Sequence, residues 1–459
     1  MKRNCLLICL VLTVFLFAGC SFIPFDDLLA ENEKPGSNET HVEIRKDGES
    51  RLFPIFNEDG QQTGYKLYTQ PNILSAVAEF GENGKVQKYT YYRETAERNK
   101  LPDTVSGYAL YEYDDNGRQT KISSYDENDG LKYYYVYSYD ENGWCTSKEY
   151  DASSNLKGYT IDQYATVTAS NGSTSTYTKE SRRYDASDNL ESTRTREQYN
   201  YYGSNSYSYQ DKEVYTNGTT YYTNGESSER VEGSKRIITH KYKTTSDNYS
   251  NTQKTTYEYD KDSGFVIKNT GETSSTSSNY SSSGTYEIVY GGDCFSKTTI
   301  PYSDGSFSTA IIDKDRKVRT ENSYDKNGKV YHETIYDLFS GKTESYSYSD
   351  SGNRYLSYEK EYLSTTAENY KCTYYNEDGT KKSSEICHYN DNNRIVYSEY
   401  RDGEDNLEDS YEYDYYANGN RKTTKCTYAD GHYKITTYDE SGNNGVTVYY
   451  NADGTPMNQ

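Results

Sequence analysis

The sequence predicts an all-β chain: an elongated, curled antiparallel meander of repeated β-hairpins, about 12 residues per strand plus turn. Three observations carry this. A turn signature recurs on a fixed period, the residues between turns alternate with period two, and tyrosine stands in for most of the aliphatic side chains. Of 459 residues 32% are hydrophobic, but 58 of them are Tyr, which leaves about 19% for all other apolar types. Ordinary globular chains carry roughly 45–50% apolar residues, so a conventional α/β enzyme with a thick aliphatic core is excluded. Few aliphatics and a net charge of -21 would together read as disorder. Tyr and Thr, strong strand formers, override that reading. The same acidic balance argues against nucleic-acid partners, whose phosphates need clustered Lys and Arg.

The N-terminus reads as an address. Lys2 and Arg3 precede an apolar run from Cys5 to Phe17, the length of a signal-peptide core and short for a membrane span. Phe17-Ala18-Gly19-Cys20 resembles the lipobox of bacterial lipoproteins, with Phe17 where Leu is usual. The resemblance implies a signal peptide over 1–19 and lipidation of Cys20, which becomes the mature N-terminus. It also implies a cell-envelope location, with Ser21 favouring the outer membrane or cell surface. Residues 20–44 carry Pro, Gly and acidic residues without periodicity and read as a lipidated tether. Loss of 1–19 removes Lys2 and Arg3, so 48 basic residues against 71 acidic ones leave -23. Such a body is repelled by anionic headgroups, and the membrane is reached through the lipid alone.

Residues 45–160 and 316–459 carry the repeat clearly. Strong copies include Phe80–Gly84, Tyr113–Gly117, Tyr139–Gly143, Tyr324–Gly328 and Tyr375–Gly379: an aromatic residue, Asp or Asn in most, two polar residues, then Gly. Weaker copies start at Tyr125, Tyr150, Tyr184 and Tyr389. Asp suits the first position of a type I turn because its carboxylate accepts local N–H groups. Gly takes positive φ without a steric penalty. Subtracting a turn of about four residues leaves strands of about eight, and the body has room for roughly 30–34 strands. Asn72–Phe80 reads as an early strand rather than a helix. In Leu131–Tyr139, Leu131, Tyr133, Tyr135, Tyr137 and Tyr139 share one face. Residues 161–315 are richer in Ser, Thr and Asn and read as degenerate copies with longer hairpins, the Ser-rich Gly271–Gly284 included. Stability in such an array is expected to be summed over neighbouring hairpins.

The Tyr-Asp-x-x-Gly spacing resembles the YD repeats of the Rhs family, over about 75–160 and 320–455. That resemblance implies a long β-sheet wound into a strip or shell. The spacing is also similar to MORN-type hairpin repeats.

Catalytic constellations are not legible. His41, His240, His332, His388 and His432 form no pair at metal-ligand spacing, and no nucleophile elbow or phosphate loop occurs. Asp126–Gly130 resembles half a calcium loop, but Asx-turn chemistry accounts for it. Neither a metal nor a cofactor is called for. After Cys5, Cys9 and Cys20, an odd number of cysteines remains: Cys145, Cys294, Cys372, Cys387 and Cys426. Cys372 and Cys426 share one repeat position, too far apart for a disulfide, and read as small buried fillers. Cys387 and His388 are adjacent and must face opposite sides of a strand. Tyrosine remains, as structural ladder first and ligand platform second, with Tyr133, Tyr135, Tyr137 and Tyr139 the candidate ligand-facing rings. The sequence thus reads as a lipid-anchored, non-enzymatic surface scaffold that presents an acidic, Tyr-rich face to a protein or glycan. The contrasting readings are an envelope glycan-processing hydrolase with a carboxylate pair and a truncated Rhs-like shell.

Overall fold

A computed structural model describes residues 43–44 and 51–457, apart from 71–72, 171, 204–205, 278–279, 365–367, 391 and 444. Residues 1–42, with the Cys5–Phe17 run and Cys20, lie outside the described residues. Among those described there are 31 strands and no helix. Strand pairing is antiparallel and follows chain order, as in Val105–Tyr113 with Gln119–Asp126 and Val318–Tyr324 with Val330–Asp337. Ile73–Phe80 is a strand, as expected. The chain divides into two compact units. Of the described residues, one unit holds those up to Tyr91 with Ser106–Asn251 and Asp260–Phe265, the other Tyr92–Val105, Thr252–Tyr259 and those from Val266 on.

The turn explains the period. In Tyr324–Gly328 the Asp325 carboxylate accepts the N–H groups of Asn327 at 2.8 Å and Lys329 at 2.9 Å. Those donors hold its pKa below the ordinary aspartate value. Gly328 closes the turn at φ +80°. Asp114, Asp126 and Asp140 make the same pair of bonds. The weaker copies place Asp129, Ser154, Asp188 and Asn393 at the left-handed position, with φ between 56° and 66°. The geometry survives the loss of glycine because short polar side chains tolerate that region.

In the first unit a core gathers Leu52, Tyr65, Leu67, Ala76, Ala78, Val86, Tyr89, Ala109, Tyr111 and Ile122. Further along, the middle strands lengthen: Leu156–Thr168 has 13 residues and Leu190–Gly203 has 14. Turn signals are sparse there, so nothing ends the ladder at eight residues. The Ser-rich stretch follows suit, with Val266–Ser277 paired against Tyr280–Tyr290 in the second unit. Aliphatic cover is scarce in these strands. Arg196 instead grips its cross-strand partner Asp211 with bonds of 2.7 and 2.8 Å, and the Tyr199 and Tyr209 rings flank the guanidinium. A buried charge is tolerable only when paired in this way.

One expectation is corrected. Hairpins do not touch their sequence neighbours alone. Within the second unit, Arg316 donates to the Glu94 carbonyl at 2.8 Å and grips both carboxylate oxygens of Asp103. The Ala96 N–H bonds the Arg316 carbonyl at 2.8 Å and the Asn99 N–H bonds the Phe339 carbonyl at 2.6 Å. Arg98 lies over the Tyr362 ring at 4.1 Å and pairs with Glu368 at 2.9 Å. The connection through 93–104 satisfies part of its backbone internally, as between Glu97 and Lys100, and the amides of Ala96 and Asn99 take partners on distant turns.

Two outcomes are expected. Gly328→Val should cost about 1–3 kcal/mol. A Cβ at Gly328 meets no atom within 4 Å, so the cost is backbone strain alone. Lys326→Ala should cost almost nothing. Hydrogen exchange on both variants checks this, and equal protection would reject the turn assignment. Asp103→Ala should leave the Arg316 guanidinium without a carboxylate partner, held by the Glu94 carbonyl alone. The amides of Ala96 and Asn99 should then lose roughly one to two orders of magnitude of exchange protection, while Arg421–Tyr428 keeps its own. Unchanged amides at Ala96 and Asn99 would show that the clasp contributes nothing.

Candidate functional site

Leu131–Tyr139 pairs with Gln119–Asp126 on one side and Trp144–Asp151 on the other. Tyr135 stands opposite Ile122, and Ile122 opposite Tyr111. The face carrying Tyr133, Tyr135, Tyr137 and Tyr139 is therefore the face of the core. Tyr137 packs against that core. Rings of Tyr133 and Tyr135 lie 5.8 Å apart, those of Tyr135 and Tyr137 6.5 Å. Burial pushes the Tyr137 phenol up to about 12. It also raises Tyr135, with the Glu149 carboxylate adding to the effect, and Tyr139, beside Cys145. All four rings are half-buried. On the opposite face Tyr134 stacks on Tyr150 at 4.9 Å.

Tyr139 donates to the Gln119 carbonyl at 3.0 Å and carries the Arg118 guanidinium over its ring at 4.8 Å. On the other face of the sheet Ser138, Trp144, Thr146, Ile161 and Arg182 line a cleft of about 370 Å³, which Tyr139 and Asp140 border at the strand end. Trp144 is the chain's single Trp. It begins its strand directly after the Asp140–Gly143 turn, and Arg182 of Thr174–Asp185 lies over its ring at 4.9 Å. The Arg182 Nε donates to Glu180 at 2.7 Å, so the cation is already neutralised. Asp140 spends Oδ1 on the N–H groups of Asn142 and Trp144, which fixes the backbone beneath the indole. Sequence reasoning found Tyr139 but missed Trp144 and Arg182. A signal existed: in the other strong copies the residue after the turn glycine is polar, as at Gln61, Lys85, Arg118, Lys329, Asn353 and Thr380.

Cys145, Cys372, Cys387 and Cys426 are buried free thiols and Cys294 is a free, partly exposed one. Burial pushes Cys145 up to about 11 and Cys387 up to about 12, so neither supplies a thiolate near neutrality. Cys387 meets Glu385 at 3.2 Å, while His388 on the other side of the strand lies beside the Tyr397 ring. The His332 Nε2 is 3.1 Å from Thr334 Oγ1. Among the described residues no group of three His, Cys, Asp or Glu could hold a metal.

No family model matches the sequence, and no curated protein matches it either. Solved structures similar to the chain include the crystal structure of TcdB2-TccC3, at 12% identity over 89% of this chain and TM-score 0.20. The chain spans 24% of that protein's length. A porin-like protein from Bacteroides uniformis is similar over 47% of this chain and 93% of its own, at 14% identity and TM-score 0.13. At such scores neither likeness carries an argument about function.

The buried phenols make a pH prediction. Tyr137, Tyr207 and Tyr209 are each pushed up to about 12, chiefly by burial, against about 10 in an unfolded chain. Between those values the unfolded chain has released protons that the folded chain retains, so stability falls as pH rises through the window. Tyrosinate absorbance and strand circular dichroism should therefore change together above pH about 10. Full titration of every Tyr near 10 with the fold intact would contradict the burial assignments.

Proposed function

We propose that this protein is a lipid-anchored, non-enzymatic component of the bacterial cell envelope, whose β-repeat body displays aromatic rings to a protein or glycan ligand. The observation that carries the reading is the cleft on the face opposite the Tyr133–Tyr139 row. There Trp144 and Ile161 stand beside Ser138, Thr146 and Arg182 on a framework fixed by strand pairing and by the Asp140 turn. Rigid aromatics on fixed elements give contact area at a small entropic cost. Asp140 is the only carboxylate lining the cleft, and Oδ1 is committed to the turn. Glycosidases place two carboxylates across the scissile bond, so this arrangement favours binding over hydrolysis.

Anchoring rests on Cys20 and the apolar run before it. Cys20→Ala should abolish metabolic labelling with a fatty acid and move the protein from the detergent phase to the aqueous phase. Labelling that persists in Cys20→Ala would reject the anchor. The binding reading is tested by capture of envelope fractions on the immobilised full chain, and capture no better than on an unrelated acidic protein would reject it.

A further inference from the structure

We propose that the Trp144 cleft is a subsite for a neutral oligosaccharide, an assignment that rests on the binding reading above and names its ligand class. The first argument is the departure from the repeat. After the turn glycine the strong copies place a polar residue, and at two of them a cation there covers a tyrosine of a later hairpin. Lys85 lies over Tyr113 at 5.3 Å and Arg118 over Tyr139 at 4.8 Å. Trp144 breaks this rule. The turn does not require an indole, since Asp114 and Asp325 build the same turn with Arg118 and Lys329 following it. The second argument is shape. A volume of about 370 Å³ sits at the small end of ligand clefts, roughly 300–1,000 Å³, which suits one or two sugar rings.

The third argument is chemistry. A pyranose has an apolar C–H face and a rim of hydroxyls. The cleft offers the matching pair: apolar surface from Trp144 and Ile161, and hydrogen-bonding groups around it. Ser138 and Thr146 are directly opposed across the two strands and line the cleft together. Arg182 brings donors, and its pairing with Glu180 removes the net attraction for an anion. A chain of net charge -21 also disfavours an acidic ligand. Planar aromatic surface, hydroxyls and a neutralised Arg–Glu pair together recognise a polyhydroxylated neutral molecule.

The single Trp makes the site its own reporter. The full chain is titrated with maltotetraose, cellotetraose, chitotetraose and, as the acidic control, tetragalacturonate, with Trp emission followed and affinity confirmed by calorimetry. At least one neutral tetrasaccharide should give a saturable emission change. Trp144→Lys restores the ordinary repeat residue and should keep the strand circular dichroism while weakening calorimetric affinity at least about tenfold. Trp144→Phe should retain affinity within a few-fold, and Tyr331→Ala, at an exposed ring elsewhere, should leave it unchanged. No response to any neutral sugar, or a response to tetragalacturonate alone, would overturn the assignment. So would a folded Trp144→Lys variant that binds as well as the parent. Envelope capture that survives Trp144→Lys intact would sink the subsite and leave the broader binding reading standing. Loss of capture by the unaltered chain would sink that reading first.

Discussion

A tyrosine ring laid over a small residue of the neighbouring strand is the contact on which this fold depends. Among the described residues no helix covers either face of the strands, so apolar cover must come from the strands' own side chains. Gly225 stands opposite Tyr209, and a Cβ there would fall 2.2 Å from the ring. Gly271 stands opposite Tyr286, with 2.0 Å to the ring. Later in the second unit thiols and hydroxyls take the place of glycine. The Tyr358 hydroxyl meets the Cys372 Sγ at 3.1 Å, and Cys387, Ser398 and Cys426 are each 1% exposed. A large flat ring and a small neighbour fill the layer that a second sheet would otherwise fill.

This constraint explains the composition. Tyrosine is the side chain that can lie across a strand, exclude water with its ring and still place its hydroxyl at a polar edge. The hydroxyls find carboxylates or carbonyls: Tyr400 reaches Glu385 at 2.8 Å, Tyr113 the Val86 carbonyl at 2.9 Å and Tyr415 the Ile395 carbonyl at 2.7 Å. Carboxylates on the strands in turn hold cations, as Glu344 and Glu359 do with Lys342. The acidic surplus is therefore partly structural, since Asp closes turns and Glu receives phenols. The abundance of both residue types has an architectural cause before any functional one, and a site must be sought where the pattern is broken. Trp144 is such a place.

Most of the architecture was legible because its causes are local. Asp325 and Gly328 announce a turn within five residues, and the alternation in Leu131–Tyr139 announces a strand. Even the degenerate copies kept their geometry, since Asp129 and Ser154 adopt the backbone that glycine would. The buried filler role of Cys372 and Cys426 was legible for the same reason, as their shared repeat position fixes a shared environment. The site was less legible. Tyr139 was found through its row, whereas Arg182 comes from a strand whose turn signature is weak, and nothing near it in sequence names Trp144 as its partner.

By itself the sequence determined the all-β class, the hairpin period and the tyrosine-for-aliphatic exchange, because turn chemistry and strand alternation act within a dozen residues. Tertiary structure alone decided that the Tyr133–Tyr139 row lies on the core face while Trp144 and Arg182 meet on the other. It also decided that Arg316 grips Asp103 across more than two hundred residues of chain. The reason is register and distance. Which ring is covered depends on which strand lies opposite, and which turn receives the 93–104 connection depends on contacts between positions that no local pattern links.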